Sequence, residues 1–529
     1  MAHENNEQTD DEMSNIPTTK QRGFWHNVRK YLREYTEVTG VHGLRYVTEK
    51  RSRTEKVVWA LLLILSLGGC IYMISEIMYK YENTPVVVSF ATEDTPLYQI
   101  PFPAITICPE AKHNKQVFGY RDIYRQIQKQ EKVDETNFTK FSHLHLLCQD
   151  IDIIATIANK TVGPDFFETL DEIKIDPGEM FIDCSYNDED IECEDFFTPI
   201  IIDEGICYSF NILGREEVFK DHVYNYAQYY HVPNKSADYF NIETGYKENA
   251  NMNTYPRRAM MSGADNALLI FFNIDTDYID PICNGIFKGF RVLIHNPWDV
   301  PRLTKHFFRV PFSKVVVAAM EPEIIVTSDT VRKFKPEKRK CFMHDERPLQ
   351  YFKFYSQPNC LLECQTNYTL KKCGCVQYFM PRNNKTAICG NGLSKCVEQA
   401  ESELKEKELE SRLGGKRFCD CRPACTNMKF SVETSHSDFY FKEYFETHTQ
   451  KMNEKNGTYW SVLQIYFKEE QFKTMERNEL YGISDLISNF GGLLGLFTGF
   501  SLISLVEIIY FCSLRIFCNE RMYGIWSGP

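Results

Sequence analysis

Four glycines crowd a short apolar segment near the C-terminus, where they could expose backbone carbonyls to a cation. They are Gly491, Gly492, Gly495 and Gly499. Glycine is costly inside a helix and is tolerated where backbones approach closely or where the helix breaks. A break at Gly499-Phe500-Ser501 would aim freed carbonyls and the Ser501 hydroxyl at a water-filled path, where carbonyl rings replace a cation's hydration shell. The alternative is a small-residue face used only for helix packing.

Glu507 is a second feature of this segment that indicates an ionic path. It interrupts the uncharged run 486–506, which then continues to Leu514. An ionisable side chain inside an apolar run is costly unless it faces a cavity, and the alternative is a protonated carboxyl hydrogen-bonded within a helix bundle. A single segment cannot enclose a pore. A cation path built from it therefore requires a symmetric oligomer.

Two uncharged runs, 57–75 and 486–506, are long enough to cross a lipid bilayer. A run of that length in a helix spans roughly 28 Å, close to the thickness of a hydrocarbon core. The first run begins too far into the chain for a signal peptide. We therefore predict transmembrane helices at 57–78 and 485–514. Two buried helices of a soluble protein are the alternative.

The flanking charges orient these spans. Just before the first span lie Arg45, Lys50, Arg51, Arg53 and Lys56. Only Lys80 follows it closely, so the positive-inside rule places the tails 1–56 and 515–529 in the cytoplasm and residues 79–484 outside. Every N-glycosylation sequon falls in that external segment: Asn137, Asn159, Asn234, Asn367, Asn384 and Asn456. So do all the cysteines except Cys70, Cys512 and Cys518, which indicates a disulfide framework in an oxidising compartment.

Composition narrows the class of protein further. The 529 residues are 43% hydrophobic and carry a net charge of −12, which argues against a disordered chain and against a nucleic-acid partner. No phosphate-binding loop, zinc-protease motif or nucleophile elbow is present, so we predict no enzyme activity, no cofactor and no metal. His143 and His145 alternate as on a strand and are interpreted as ordinary surface residues. A zinc site at the close cysteine pairs 373/375 and 419/421 is a weaker alternative to disulfides.

The external segment predicts a mixed α+β fold. Short β-like stretches lie at 87–91, 104–107, 267–274, 289–294, 314–320, 323–328 and 460–467. Residues 341–425 are cysteine-dense and contain a charged, helix-like run at 397–413, which indicates a disulfide-stapled subdomain. In the N-terminal tail we expect disorder over 1–19 and partial helix over 24–50.

Five groups of sequence motifs together resemble the degenerin/epithelial sodium channel family, which includes acid-sensing channels and an insect pickpocket branch. They are TGVHG at 39–43, FPAITIC at 102–108, GICYSFN at 205–211, the thumb cysteines CLLEC, CGC and CDCRPAC, and GG, GFS and E at 491–507. The resemblance covers roughly residues 40 to 510. It implies a trimeric, voltage-independent, amiloride-sensitive sodium channel of the plasma membrane. Its two transmembrane helices would flank a large disulfide-rich extracellular domain with a β-sheet palm and a cysteine-rich, helical thumb at about residues 341–425.

The resemblance also assigns roles to residues. It implies Gly499, Phe500 and Ser501 as the selectivity filter, Glu507 beneath it, and Na⁺ as the permeant ion. The gating positions it implies are His42, Gly43, Ser488 and Asn489, and Asp485 would attract cations in the outer vestibule. Two residues depart from the pattern. Phe500 replaces a small residue in the filter, and Asn489 replaces the Asp of acid-sensing relatives, so proton gating does not follow.

The disulfide pairing is likewise implied by the resemblance, since spacing alone cannot set connectivity. In the thumb it implies Cys341–Cys425, Cys360–Cys421, Cys364–Cys419, Cys373–Cys396 and Cys375–Cys389. Elsewhere it implies Cys108–Cys207 and Cys184–Cys193, which leaves Cys148–Cys283.

Partners and competing functions follow from the same observations. We expect membrane lipid, sibling chains in a homo- or heterotrimer, and an extracellular ligand or matrix component as candidate partners. A non-conducting two-span receptor would explain the topology but not Glu507 or the glycines. A trimeric ATP-gated channel shares the topology, but its extracellular domain would be shorter. An auxiliary subunit that conducts only beside a sibling chain stays open.

Overall fold

The computed structural model describes residues 24–148, 159–163, 165–275, 278–284, 287–303, 306–415, 417–440 and 458–527. The predicted disordered segment 1–19 and the sequon at Asn456 lie outside these residues. The chain divides into two compact units: unit 1 comprises Met1–Val87 and Glu479–Pro529, and unit 2 comprises Val88–Asn478.

The described helices are, in chain order, α1 (Phe24–Val38), α2 (Leu44–Thr48), α3 (Arg53–Asn83), α4 (Tyr120–Gln128), α5 (Glu135–His145), α6 (Phe166–Ile173), α7 (Pro177–Met180), α8 (Cys193–Phe196), α9 (Arg215–Val218), α10 (Pro281–Asn284), α11 (Asp329–Arg332), α12 (Pro336–Arg339), α13 (Gln357–Cys373), α14 (Ser394–Leu413), α15 (Ile483–Thr498), α16 (Leu502–Cys512) and α17 (Leu514–Tyr523). The described strands are β1 (Val86–Phe90), β2 (Thr95–Pro96), β3 (Ala104–Pro109), β4 (Thr161–Val162), β5 (Phe181–Tyr186), β6 (Glu189–Ile191), β7 (Phe197–Ile202), β8 (Gly205–Phe210), β9 (Phe240–Asn241), β10 (Gly245–Tyr246), β11 (Leu268–Asp275), β12 (Phe290–His295), β13 (Phe308–Val310), β14 (Lys314–Thr327), β15 (Ile388–Cys389), β16 (Asn427–Asp438), β17 (Thr458–Phe467), β18 (Gln471–Phe472) and β19 (Met475–Glu479).

Helix α3 of unit 1 is long and apolar enough to cross a bilayer, and it contains the predicted span 57–78. It begins with a capping box: the Ser52 hydroxyl accepts from the Glu55 N–H, and the Glu55 carboxylate accepts from the Ser52 N–H. Helices α15 and α16 pass the same length and hydropathy test only when taken together, and they are bent by 72° at their junction. Where the sequence predicts one helix over 485–514, the structure thus has two helices and the start of α17.

Unit 2 is built on two sheets whose facing sides form its core. The larger sheet has the order β1-β19-β14-β17-β11-β5-β6, with β16 also paired to β14, and the smaller has the order β13-β12-β3-β8-β7. Strand β11 alternates buried and half-buried residues, the pattern of a strand with one face on a core. Its Phe272 stacks on Phe290 of β12 with ring centroids 4.3 Å apart, and Phe181 of β5 stacks on Phe197 of β7 at 4.5 Å. These aromatic pairs join the two sheets.

Strand β14 unites two stretches, 314–320 and 323–328, that the sequence predicts as separate strands. Along one edge it pairs antiparallel with β16 from Lys314 to Ile325. On its other side it pairs with β17 over 315–320 and with β19 over 325–327. Pro322, which has no N–H to donate, falls in the gap between those two partners, and there a proline costs the sheet little.

Helices α13 and α14 form the helical part of the cysteine-dense segment 341–425. Helix α13 begins where the Ser356 hydroxyl accepts from the Asn359 N–H and ends at Gly374, whose φ of 74° suits glycine. Helix α14 contains the predicted helix 397–413 and starts three residues earlier. The mixed helix and sheet content of this disulfide-rich domain agrees with the predicted fold class.

Candidate functional site at a helix break

The sequence Gly499-Phe500-Ser501 ends one helix and starts the next. Gly499 caps the C-terminus of α15 with φ of 70°, a left-handed conformation that glycine adopts without a side-chain penalty. Its N–H donates to the Gly495 carbonyl at 2.9 Å. Ser501 caps the N-terminus of α16, and its hydroxyl accepts from the Ser504 N–H at 3.3 Å. A helix stop and a helix start two residues apart therefore produce the bend without a proline.

His42 lies against this break, so the structure brings the predicted gating element and the predicted filter together. The His42 N–H donates to the Thr498 carbonyl at 2.9 Å, one of the carbonyls freed where α15 ends. The imidazole covers Gly499 so closely that a Cβ there would lie 2.7 Å from its Cγ and Nδ1. The following Gly43 has φ of 81° and turns the chain into α2. Gly43 thus permits the turn into α2, and Gly499 permits the close contact with His42.

Helix α3 contacts the last turn of α15. The Ser66 hydroxyl donates to the Phe497 carbonyl, the neighbour of the carbonyl that His42 binds. A Cβ at Gly69 would lie 3.1 Å from the Phe497 ring, so Gly69 provides the room for that ring. Two carbonyls freed at the break are therefore held by the chain itself. This use of Ser66 and Gly69 was not predicted, although a serine and a glycine inside an apolar helix are a recognisable signal of helix packing.

The other predicted gating residues lie on α15 away from the break. Asp485 is exposed and accepts from the Gly482 N–H at 3.2 Å, so it caps the start of α15. Ser488 and Asn489 are exposed, and Ser488 lies about 16 Å along the axis from Gly499 at 1.5 Å per residue. A methyl group at Gly491, Gly492 or Gly495 would meet no atom of another described element within 4 Å. The small-residue face of α15 is thus open within one chain.

Glu507 lies on α16, about one and a half turns after Ser501. Its side chain is half-buried, and the buried oxygen Oε2 has no hydrogen-bond partner among the described residues. A buried carboxylate oxygen without a hydrogen-bond partner is stabilised by contact with water or cations.

The two tails pack on each other in unit 1, a contact that the sequence does not predict. The Tyr31 hydroxyl of α1 donates to the Phe511 carbonyl, and its ring lies 5.9 Å from the rings of both Phe511 and Trp526. Glu34 and Arg515 form an ion pair at 2.6 Å. The available signals were the apolar spacing of aromatic residues in 24–38 and the apolar residues of 514–526. Neither indicates that the two segments meet.

Comparison with known proteins decides the family. The model described as amiloride-sensitive sodium channel matches residues 35–511 of this chain. The chain belongs to that family. Pickpocket protein 28 of Drosophila melanogaster is 27% identical over 93% of this chain and 80% of its own length. The sodium channel protein Nach of Drosophila melanogaster is 22% identical over 94% and 89%, and the human bile acid-sensitive ion channel is 21% identical over 91% and 85%.

In this member of the amiloride-sensitive sodium channel family, the cysteines of unit 2 are joined in the pairs that the resemblance implies. The thumb pairs are Cys341–Cys425, Cys360–Cys421, Cys364–Cys419, Cys373–Cys396 and Cys375–Cys389. The others are Cys108–Cys207, Cys184–Cys193 and Cys148–Cys283. The cysteines that a zinc site would need are all engaged in these bonds. The sequons Asn137, Asn159, Asn234, Asn367 and Asn384 are all exposed.

The interpretation of His143 and His145 as surface residues on a strand is wrong. Both lie in α5 and are buried. Nδ1 of His145 is 2.8 Å from the Tyr120 hydroxyl, and Nδ1 of His143 is 3.1 Å from the Thr169 hydroxyl. Burial lowers the pKa of both imidazoles. Asp134, which accepts from the N–H groups of the first turn, was the overlooked helix-start signal.

Proposed function

We propose that this chain is a subunit of a trimeric, voltage-independent, amiloride-blocked cation channel that conducts sodium along α15 and α16. The observation that carries the proposal is the break at Gly499-Phe500-Ser501, held by His42, in a chain of a sodium-channel family. Three copies around an axis would surround one path with the carbonyls of the break and the Glu507 carboxylates. Na⁺ is the permeant ion, and no resident cofactor is required.

The open face of α15 supports the oligomer. Ser488, Gly491, Gly492 and Gly495 recur at helical spacing, and the glycines have free space beside them in the single chain. Small residues let pore helices of neighbouring copies close against one another. Ser488→Phe should then hold the pore open, because a bulky ring does not fit the closed packing. Asn489 and Asp485, on the same helix, would adjust gating and attract cations.

The proposed topology places both tails in the cytoplasm and unit 2 outside the plasma membrane, where a chemical or mechanical stimulus would act. The basic residues before α3, the disulfides of unit 2 and its exposed sequons support this placement. Glycosidase treatment of membrane-expressed protein should increase its gel mobility. Unchanged mobility would contradict an external unit 2.

Whole-cell current from the chain expressed alone tests conduction, with external sodium exchanged for a large organic cation. Glu507→Gln keeps the shape of the side chain but removes its charge, so single-channel conductance or ion selectivity should change while assembly stays intact. Glu520→Gln, the same change at an exposed position of α17, is the matched control and should leave both unaltered. Equal conductance and permeability ratios in the two variants would refute the pore assignment.

The same experiment separates the competing functions. An auxiliary subunit would give no current alone but would carry the Glu507→Gln effect into a co-expressed sibling channel. A non-conducting receptor would reach the surface and give neither result.

A further inference from the structure

A cavity of about 690 Å³ lies between helices α13 and α14 of unit 2. One face of α13 forms its main wall through residues at helical spacing, which include Glu363, Asn367 and Lys371. Glu403 and Lys407 of α14 line the opposite side. The volume lies within the range of sites that hold small molecules.

The cavity has a fixed shape. Two disulfides, Cys360–Cys421 and Cys364–Cys419, tie α13 to the segment that closes one end, and three of these cysteines line the cavity. On the other side, Lys372 of α13 and Glu403 of α14 form an ion pair at 2.5 Å. The walls of the cavity are therefore held in place without a bound molecule.

The lining combines aromatic faces with charged hydrogen-bonding groups. The rings of Tyr368 and Phe418 lie 6.1 Å apart, and Phe418 is 50% exposed. The Lys407 ammonium donates to the Tyr368 hydroxyl at 2.9 Å, and that hydroxyl donates to Glu403 at 3.2 Å. A sugar matches this lining, because its apolar C–H face packs on aromatic rings while its hydroxyl and acetamide groups hydrogen-bond to charged side chains.

Asn367, in the middle of the α13 wall, is the asparagine of an N-glycosylation sequon and is exposed. The Thr369 that completes the sequon is only 1% exposed. A glycosylating enzyme must therefore read the sequon before α13 folds. In that reaction Asn367 Nδ2 bonds to the anomeric carbon of the first sugar and loses a proton, and the lipid pyrophosphate that carried the oligosaccharide leaves.

We propose that the core of an N-linked glycan on Asn367 folds back into this cavity, with its innermost sugars against Tyr368 and Phe418. The inference depends on the external placement of unit 2 in the proposed function. A glycan held in this way closes the gap between α13 and α14 and is shielded from the enzymes that trim and extend glycans. Glycans on open surfaces, such as that of Asn137 on α5, have no such shelter.

Site-specific glycopeptide mass spectrometry on the full chain, purified from the cell surface, tests the proposal. The untrimmed, high-mannose fraction at Asn367 should exceed that at Asn137 at least fivefold. In native protein the Asn367 glycan should resist endoglycosidase H, and it should become sensitive after reduction and denaturation. An unoccupied Asn367, or one processed as fully as Asn137, would overturn the proposal. If no sequon carries a glycan, the external placement of unit 2 in the proposed function is wrong.

Phe418→Ala removes one aromatic wall without altering the sequon. It should reduce the high-mannose fraction at Asn367 towards the value at Asn137. Tyr239→Ala, an exposed ring of unit 2 outside the cavity, is the matched control and should leave the fraction unchanged. An unchanged Asn367 glycan in Phe418→Ala would contradict the docking. If that variant is retained inside the cell, every site stays untrimmed, and the wild-type comparison of Asn367 with Asn137 decides.

Discussion

Replacing Gly499 with alanine tests how closely the helix break is held by His42. A Cβ at this position would lie 2.7 Å from the ring, whereas ordinary contact begins at 3.4 Å. The imidazole must therefore move by about 0.7 Å (3.4 − 2.7) or the break must open. Overpacking of this kind costs roughly 1–3 kcal/mol. The new side chain must also adopt the left-handed φ of 70°, which costs roughly 1–2 kcal/mol.

The two costs can be separated by matched controls. Gly524 also has a left-handed φ, 66°, but nothing lies within 4 Å of its Cβ position, so Gly524→Ala reports the backbone cost alone. Gly68 lies in α3 with no positive φ and free space, so Gly68→Ala should be neutral or stabilising. His42→Ala in the Gly499→Ala background removes the collision and leaves the backbone cost.

Thermal unfolding of the detergent-solubilised full chain, followed by fluorescence-detected size exclusion, measures the order of stability. The melting temperature should be lowest for Gly499→Ala, higher for Gly524→Ala, and equal to or above wild type for Gly68→Ala. Adding His42→Ala should raise the melting temperature of the Gly499→Ala protein to about that of the Gly524→Ala protein. Two results would refute the close contact at the break. One is a Gly499→Ala melting temperature equal to that of Gly68→Ala, and the other is a Gly499→Ala melting temperature that His42→Ala does not raise.

Three further predictions concern pH, the thumb and the tails. Burial lowers the pKa of His113 to about 4, so between pH 6.5 and 4 the unfolded chain binds a proton that the folded chain does not. Protonation of His113 should therefore lower the stability by up to about 3 kcal/mol as pH falls through that window, and His113→Gln should make the pH dependence of the melting temperature shallower. Replacing both Cys341 and Cys425 with serine should cost about 3.5 kcal/mol in urea unfolding, because Cys360–Cys421 already shortens the loop that the outer bond closes to about 25 residues. Tyr31→Ala should expose α1 to protease in permeabilised cells, whereas Tyr31→Phe, which keeps the ring, should protect it; equal cleavage of both would remove the aromatic contact as the cause.

The sequence predicted those features that local residue patterns encode. The apolar stretch 267–274 predicted β11 and the charged run 397–413 predicted α14, and the glycine and serine at 499 and 501 indicated the break. The pairing of the cysteines needed the family resemblance, because spacing permits many connectivities. The sequence predicted two strands, 314–320 and 323–328, on either side of Pro322, and only the pairing partners of β14 explain why the strand is continuous.

Contacts between distant parts of the chain could not be predicted. Tyr31 and Phe511 are 480 positions apart, and each segment alone indicates only an apolar helix. His42 on Gly499 is a similar case, because a histidine and a glycine in separate motifs do not specify that they touch. Helix α5 could have been predicted from the sequence, because Asp134 is a strong N-cap signal. The alternation of His143 and His145 indicated a strand instead.

The connection between β14 and β16 has a consequence for movement. The two strands pair antiparallel, with Ile325 opposite Asn427, and the whole cysteine-dense segment is inserted between these neighbouring ends. Cys341–Cys425 fastens the base of the insertion, and the Thr327 hydroxyl donates to the Cys425 carbonyl at 2.8 Å. The insertion thus acts as the turn of a long hairpin whose arms are β14 and β16. A ligand that tilts α13 or α14 would therefore move β14 and β16 as a pair.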